Sequence, residues 1–171
     1  SQHLPDKMRR ITKIPITRIL SRHSMTDSLA EQYLRTRRRT EQLCEPLCME
    51  DYIPQAVEFA SPPKWHLAHT TWFFEAFILS QFVEDYVEYD ANYKYLFNSY
   101  YQTLGQMHPR SQRGMLARPA TGEVFLYRKA INERLFDLLD TCASGQKSKI
   151  LELVELGIQH EQQHQELLLT D

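Results

Sequence analysis

His160-Glu161-Gln162-Gln163-His164 places two imidazoles one helical turn apart, just ahead of the run Leu167-Leu168-Leu169. Residues four apart on a helix share a face, so this spacing predicts a helix that grips a transition metal with both rings. The string also satisfies His-Glu-x-x-His, the zinc-protease signature in which Glu161 would serve as general base. Such a protease takes its third ligand from well downstream and lays substrate along a sheet edge. The sequence runs only to Asp171 and shows no run of alternating strands, so a third ligand is expected from earlier in the chain and the protease reading is set aside.

With 171 residues, 42% hydrophobic and 11% aromatic, the chain can bury one proper core, and one domain is expected. The formal net charge is -2, and basic residues are scattered except for Arg35, Arg37, Arg38 and Arg39, which argues against a nucleic-acid footprint. That cluster is expected to be a solvated helix face. Three cysteines, Cys44, Cys48 and Cys142, without a secretory signal point to a reducing cytoplasm. Cys44 and Cys48, one turn apart, read as helix packing ahead of metal ligation. The longest apolar run, Trp72 to Leu79, is interrupted by Glu75 and too short to span a bilayer, so no membrane segment is expected.

Residues 1–25, with Pro5 and Pro15 and no periodicity, read as an extended arm or linker, and residues 26–171 as the folded domain. A first helix is predicted from Thr26, with Ser28 and Glu31 as a capping box and Leu29, Tyr33, Leu43 and Leu47 returning at helical spacing. Ser61 is expected to cap a second helix with Pro62 in its first turn, running to about Phe82 and carrying Trp65, His69, Trp72 and Ala76 on one stripe. A long irregular connection follows to Pro119, of the kind that usually serves function. Thr121 is expected to cap a third helix with Val124, Tyr127, Ile131, Leu135 and Leu138 inside, ending near Gly145. Ser148 opens a fourth, in which Leu153, Gly157, His160, His164 and Leu168 share the inward stripe. The fold expected is all-α, a four-helix bundle with a long irregular connection between its second and third helices. Such bundles build metal sites from side chains projecting inward off facing helices.

His69 on the second helix, with His160 and His164 on the fourth, would give a facial set of three imidazoles with positions left open. Imidazole suits iron, zinc, copper or nickel alike, so the ligands leave the metal unnamed. Gln163, three residues past His160, borders the same face. Glu166 points away from the ligands and suits an outer-sphere or interhelix role. His66, three residues before His69, is within reach of the site but is expected to be a bystander ahead of a ligand, while His3, His23 and His108 fall outside the periodic helices.

The stretches Ser61-Pro62-Pro63-Lys64-Trp65-His66-Leu67-Ala68-His69-Thr70, Leu96-Phe97-Asn98-Ser99-Tyr100-Tyr101, His108-Pro109-Arg110-Ser111-Gln112-Arg113-Gly114 and His160 to Glu166 resemble the amino-terminal DinB-like domain of ergothioneine-biosynthesis sulfoxide synthases, the hercynine oxygenases. The resemblance covers about residues 26–171 in ordered motifs. It implies a non-haem Fe(II) held by His69, His160 and His164, and a reaction that joins cysteine or γ-glutamylcysteine to hercynine with dioxygen. It implies further that Gln163 lies near the hercynine imidazole and that Arg110 and Arg113 hold the carboxylates of the thiol substrate. In that family a following domain, similar to formylglycine-generating enzyme, supplies the catalytic tyrosine; nothing in this sequence resembles it, so the chain is expected to be the iron-binding part of a larger enzyme. Two other functions fit a DinB-like bundle: a zinc- or nickel-dependent thiol transferase, and a non-catalytic metal-binding module packed on a partner domain.

Overall fold

The computed structural model describes residues 25–99 and 105–171, and within them the chain is helical with no strand. The expected arm over residues 1–25 lies outside the described residues except for Met25, as do Tyr100 and Tyr101 of the connection. Helix α1 spans Met25–Cys44. Helix α2 spans Pro63–Phe74 and continues through a π turn, Glu75–Leu79, into a last α turn, Ser80–Phe82. A short α3, Tyr93–Phe97, and a 3-10 segment, Arg110–Met115, lie in the connection. Helices α4 (Thr121–Thr141) and α5 (Ser144–Thr170) complete the bundle.

The expected all-α bundle with its long second-to-third connection is therefore what the chain forms, with four long helices. Helix α1 packs along α5, and α2 lies between α4 and α5. Every residue of α2 from Lys64 to Phe74 is buried, so this helix is the axis of the domain. Its polar groups are satisfied within the core: the Thr70 and Thr71 hydroxyls donate to the carbonyls of His66 and Leu67 at 3.0 and 2.8 Å.

Several local expectations are corrected. Helix α1 already runs at Met25, so Ser28 and Glu31 are exposed positions inside it and no capping box forms there. Pro62 is the N-cap of α2 and Pro63 its first residue; the Ser61 hydroxyl instead accepts from Arg113 at 2.9 Å. Ala120 is the N-cap of α4 and Thr121 its first residue, because the Glu123 carboxylate reaches back to the Ala120 N–H and does the capping. Helix α4 ends at Thr141, and Gly145 lies in the first turn of α5 rather than closing α4.

The predicted buried face of α4 is correct at all five positions. That of α5 is rotated. Ile150, Val154, Gly157, Ile158, Glu161 and His164 are the buried residues, while Leu153, His160 and Leu168 are half-buried at its edge. Glu161 accounts for the rotation. It takes the centre of the face because Arg37 and Arg128 meet its carboxylate there at 2.8 and 3.0 Å. Arg37 is 1% exposed, so the arginine cluster is not a uniformly solvated face: Arg35, Arg38 and Arg39 face outward and Arg37 faces the core.

Helices α2 and α5 are in close contact at Gly157. A Cβ there would sit 2.3 Å from Phe74 Cε1, and Phe74 is boxed in by an edge contact with Tyr33, centroids 4.9 Å apart. Gly157→Ala should therefore destabilise the protein by about 1–3 kcal/mol despite alanine's better helix propensity. A urea midpoint that rises in the variant would show that the two helices can part at no cost.

Candidate metal centre

His69, on the central helix, and His160 and His164, one turn apart on α5, bring their ligand nitrogens within 4.8 Å of one another. The sequence-derived triad is thus assembled by the fold. His69 Nε2 lies 3.2 Å from His160 Nε2. Two nitrogens bound to one metal at about 2.1 Å sit roughly 3.0 to 3.4 Å apart for octahedral to tetrahedral angles, so this spacing fits a shared cation.

Each ring is held from outside. His69 Nδ1 lies 2.5 Å from the Phe97 carbonyl, which can only accept, so Nδ1 carries the proton and Nε2 the lone pair. Trp65 stacks on His69 at 4.4 Å and 12°, and its indole N–H donates to the Leu96 carbonyl at 3.1 Å. Phe73 stacks on His160 at 4.4 Å and 27°. His160 Nδ1 is buried with no hydrogen-bond partner among the described residues. His164 Nδ1 lies 2.9 Å from His66 Nδ1, which makes His66 a neighbour of the triad and not one of the clustered ligands.

Burial keeps these rings neutral. It holds His66 and His160 down at about 4 and His164 at about 2, with the neighbouring imidazoles pushing His164 the same way, and it drives His69 well below the ordinary value. Neutral imidazole is the form that ligates a metal, so the cluster needs no deprotonation near pH 7.

Glu161 cannot take the protease role. Its carboxylate is 0% exposed, and it accepts from Arg37, Arg128 and the Thr40 hydroxyl at 2.8, 3.0 and 2.7 Å, so both oxygens are engaged inside the core. Burial alone would raise its pKa, but the two guanidiniums prevail and hold it at about 2.

Of the residues that the family resemblance singled out, Arg113 is buried, its guanidinium 3.4 Å over the Trp65 ring, with hydrogen bonds to Ser61 and Ser99 at 2.9 and 3.0 Å. Its charge bears on His66, His69 and His164, so it borders the triad. Arg110 is exposed at the start of the 3-10 segment and close enough for its charge to act on His66. Gln163 and Glu166 are exposed on α5. Of the cysteine pair, Cys44 is buried and Cys48 exposed, where its thiol meets Asp51 at 2.9 Å. Sequence reasoning missed Glu161 as a core anion, Asp171 as a partner of His66, and Trp65 as the platform under His69.

A helical bundle carrying three inward imidazoles on two of its helices defines a candidate metal-binding domain. Residues 32–168 match the DinB superfamily, and the chain belongs to that superfamily, which includes metal-dependent enzymes. No curated protein matches the chain. No helix among the described residues is long and apolar enough to cross a membrane.

Two outcomes follow from the buried charges. Glu161→Gln, which keeps the shape but leaves buried Arg37 without an anion and Arg128 with Glu41 alone, should cost about 3–5 kcal/mol of unfolding free energy; a protease general base would lose activity instead and leave stability intact. Because the folded histidines titrate below their unfolded value near 6.5, the unfolded chain takes up protons that the native one refuses. Metal-free stability should therefore be fully present above about pH 6.5 and fall as pH drops toward 4, each histidine adding up to about 1.4 kcal/mol per pH unit. Urea unfolding of chelator-treated protein between pH 8 and 5 measures the slope, and a flat profile would contradict the burial of neutral rings.

Proposed function

We propose that this chain is the Fe(II)-binding domain of an oxygen-dependent sulfoxide synthase, which joins cysteine or γ-glutamylcysteine to hercynine in ergothioneine biosynthesis. The observation that carries this reading is the convergence of His69, His160 and His164 within 4.8 Å, in a chain whose ordered motifs resemble that family. In the overall reaction the thiol S–H and an imidazole C–H break and C–S and S–O bonds form. Dioxygen accepts four electrons, leaving one oxygen on sulfur and the other in water. Fe(II), when bound, supplies open positions for thiolate and dioxygen.

The remaining work falls to the protein's own groups. Arg113 borders the triad as a planar fork suited to a substrate carboxylate, and Arg110 lies nearby on the exposed side. Gln163, three residues past His160, is exposed, and on this reading its amide meets the hercynine imidazole. On this reading a domain resembling formylglycine-generating enzyme follows in the same protein, packs on this one and provides the catalytic tyrosine. The enzyme would act in the cytoplasm, where its thiol substrates stay reduced.

Anaerobic titration with Fe(II) and with Zn(II), of this chain beside its His69→Ala variant, tests the site. Fe(II) binding that is lost in the variant is expected, and binding that survives would remove the triad. The full-length protein should then consume oxygen while coupling hercynine to a thiol. Thiol transfer without oxygen, supported by Zn(II) or Ni(II), would assign the domain to the thiol transferases instead.

A further inference from the structure

His66 is 1% exposed and sits between Asp171 and His164. One oxygen of Asp171, Oδ2, accepts the Ser61 N–H at 2.8 Å and lies 3.1 Å from His66 Nε2. A carboxylate oxygen receiving two such contacts is an acceptor, so His66 Nε2 carries a proton. The ring is buried and neutral, which leaves Nδ1 with a lone pair. That lone pair faces His164 Nδ1 at 2.9 Å. Two lone pairs at this distance would repel, so the proton between them belongs to His164 Nδ1. The other nitrogen of His164, Nε2, is then bare.

We infer that Asp171 and His66 form an outer-sphere relay that locks His164 in its Nδ1–H tautomer and offers Nε2 to the metal. His66 is thus a positioning residue and not a fourth ligand. His69 reaches the same tautomer by a different route, through the Phe97 carbonyl. The two ligands best fixed in orientation therefore come one from each helix. Partners of this kind set ring orientation and raise ligand basicity, and their loss typically weakens metal binding 10–100-fold. The inference rests on the metal-site part of the proposed function and is independent of the reaction catalysed.

The test measures Co(II) and Zn(II) affinity, by competition with a chromophoric chelator, in the wild-type chain and in His66→Phe, His66→Asn and Asp171→Ala. Phenylalanine keeps the ring volume without nitrogens and should weaken binding 10–100-fold. Asparagine retains an acceptor for His164 and should restore most of that loss, which a purely structural role for the ring would not allow. Asp171→Ala, at the edge of the bundle, should give a smaller loss and keeps the test alive if the phenylalanine variant fails to fold. In the Zn(II) form, long-range 1H–15N spectra should show His164 protonated at Nδ1 and bound through Nε2, with that Nδ1 proton lost to solvent exchange in His66→Phe. Unchanged affinity across the variants, or a zinc-bound nitrogen on His66, would overturn the relay while leaving the triad in place. Absence of binding by the wild-type chain would remove the triad itself.

Discussion

Four charges inside the bundle govern the rest of it. Arg37 and Arg128 are each 1% exposed and share Glu161, while Arg128 also meets Glu41 at 3.1 Å toward the edge. Two cations and two anions make the group formally neutral, which is the condition under which such charges can stay buried. The surrounding hydrogen bonds reach every long helix. Arg37 also donates to Thr71 of α2 and Asn132 of α4, and Arg128 to the Leu67 carbonyl of α2 and the Arg37 carbonyl of α1. A hydrophobic core alone would tolerate small rotations of one helix against another. This network does not, because turning α5 by one residue would leave Arg37 without its anion and Arg128 with Glu41 alone.

The position of Glu161 makes that constraint functional. It lies between His160 and His164, so whatever fixes its carboxylate also fixes the phase at which both imidazoles leave the helix. Its neighbours on α5 give the complementary restraint, since Gly157 lets Phe74 approach and draws α5 against α2 at the level of the site. Helix α2 is itself anchored beyond His69 by Glu75, in the π turn, which accepts from the Tyr86 hydroxyl at 2.6 Å, the Tyr89 N–H at 2.7 Å and the Tyr127 hydroxyl. A π turn shifts the phase of the residues after it, and here the widened turn lets a carboxylate in the core tie α2 to α4 and to the start of the connection.

Much of this was legible in the sequence. Apolar periodicity on α4 predicts its buried face, and histidines at helical spacing on two helices predict the triad, because both signals are local and repeat with the helix period. The arginines were legible in principle. Tyr33, Arg37, Thr40 and Cys44 follow one stripe of α1, and all four are buried; Val124, Arg128, Ile131 and Leu135 do the same on α4. Treating charge as evidence of exposure hides both residues, since their burial depends on a carboxylate more than thirty positions away in sequence. The Ser61 cap and the rotation of α5 fail for the same reason, since each is set by a distant partner, Arg113 for Ser61 and the guanidinium pair for Glu161, whereas the α4 cap is set locally by Glu123.

The connection shows how a loop joins a site built on helices. The 3-10 segment of residues 110–115 has few apolar side chains of its own to bury, yet Arg113 drives into the core to lie 3.4 Å over Trp65. Trp65 stacks on His69, whose Nδ1 meets the carbonyl of Phe97, the last residue of α3. Gln55 stitches the same segment to the stretch before α2, accepting from the Gly114 N–H at 2.9 Å and donating to the Arg110 carbonyl at 2.8 Å. The guanidinium, indole and imidazole therefore form one continuous path from the connection to the candidate metal centre. The stack ties the placement of Arg113 in the connection to the orientation of the His69 ring. The helix period of the bundle cannot supply that link; it requires a connection long enough to carry an arginine back over the second helix.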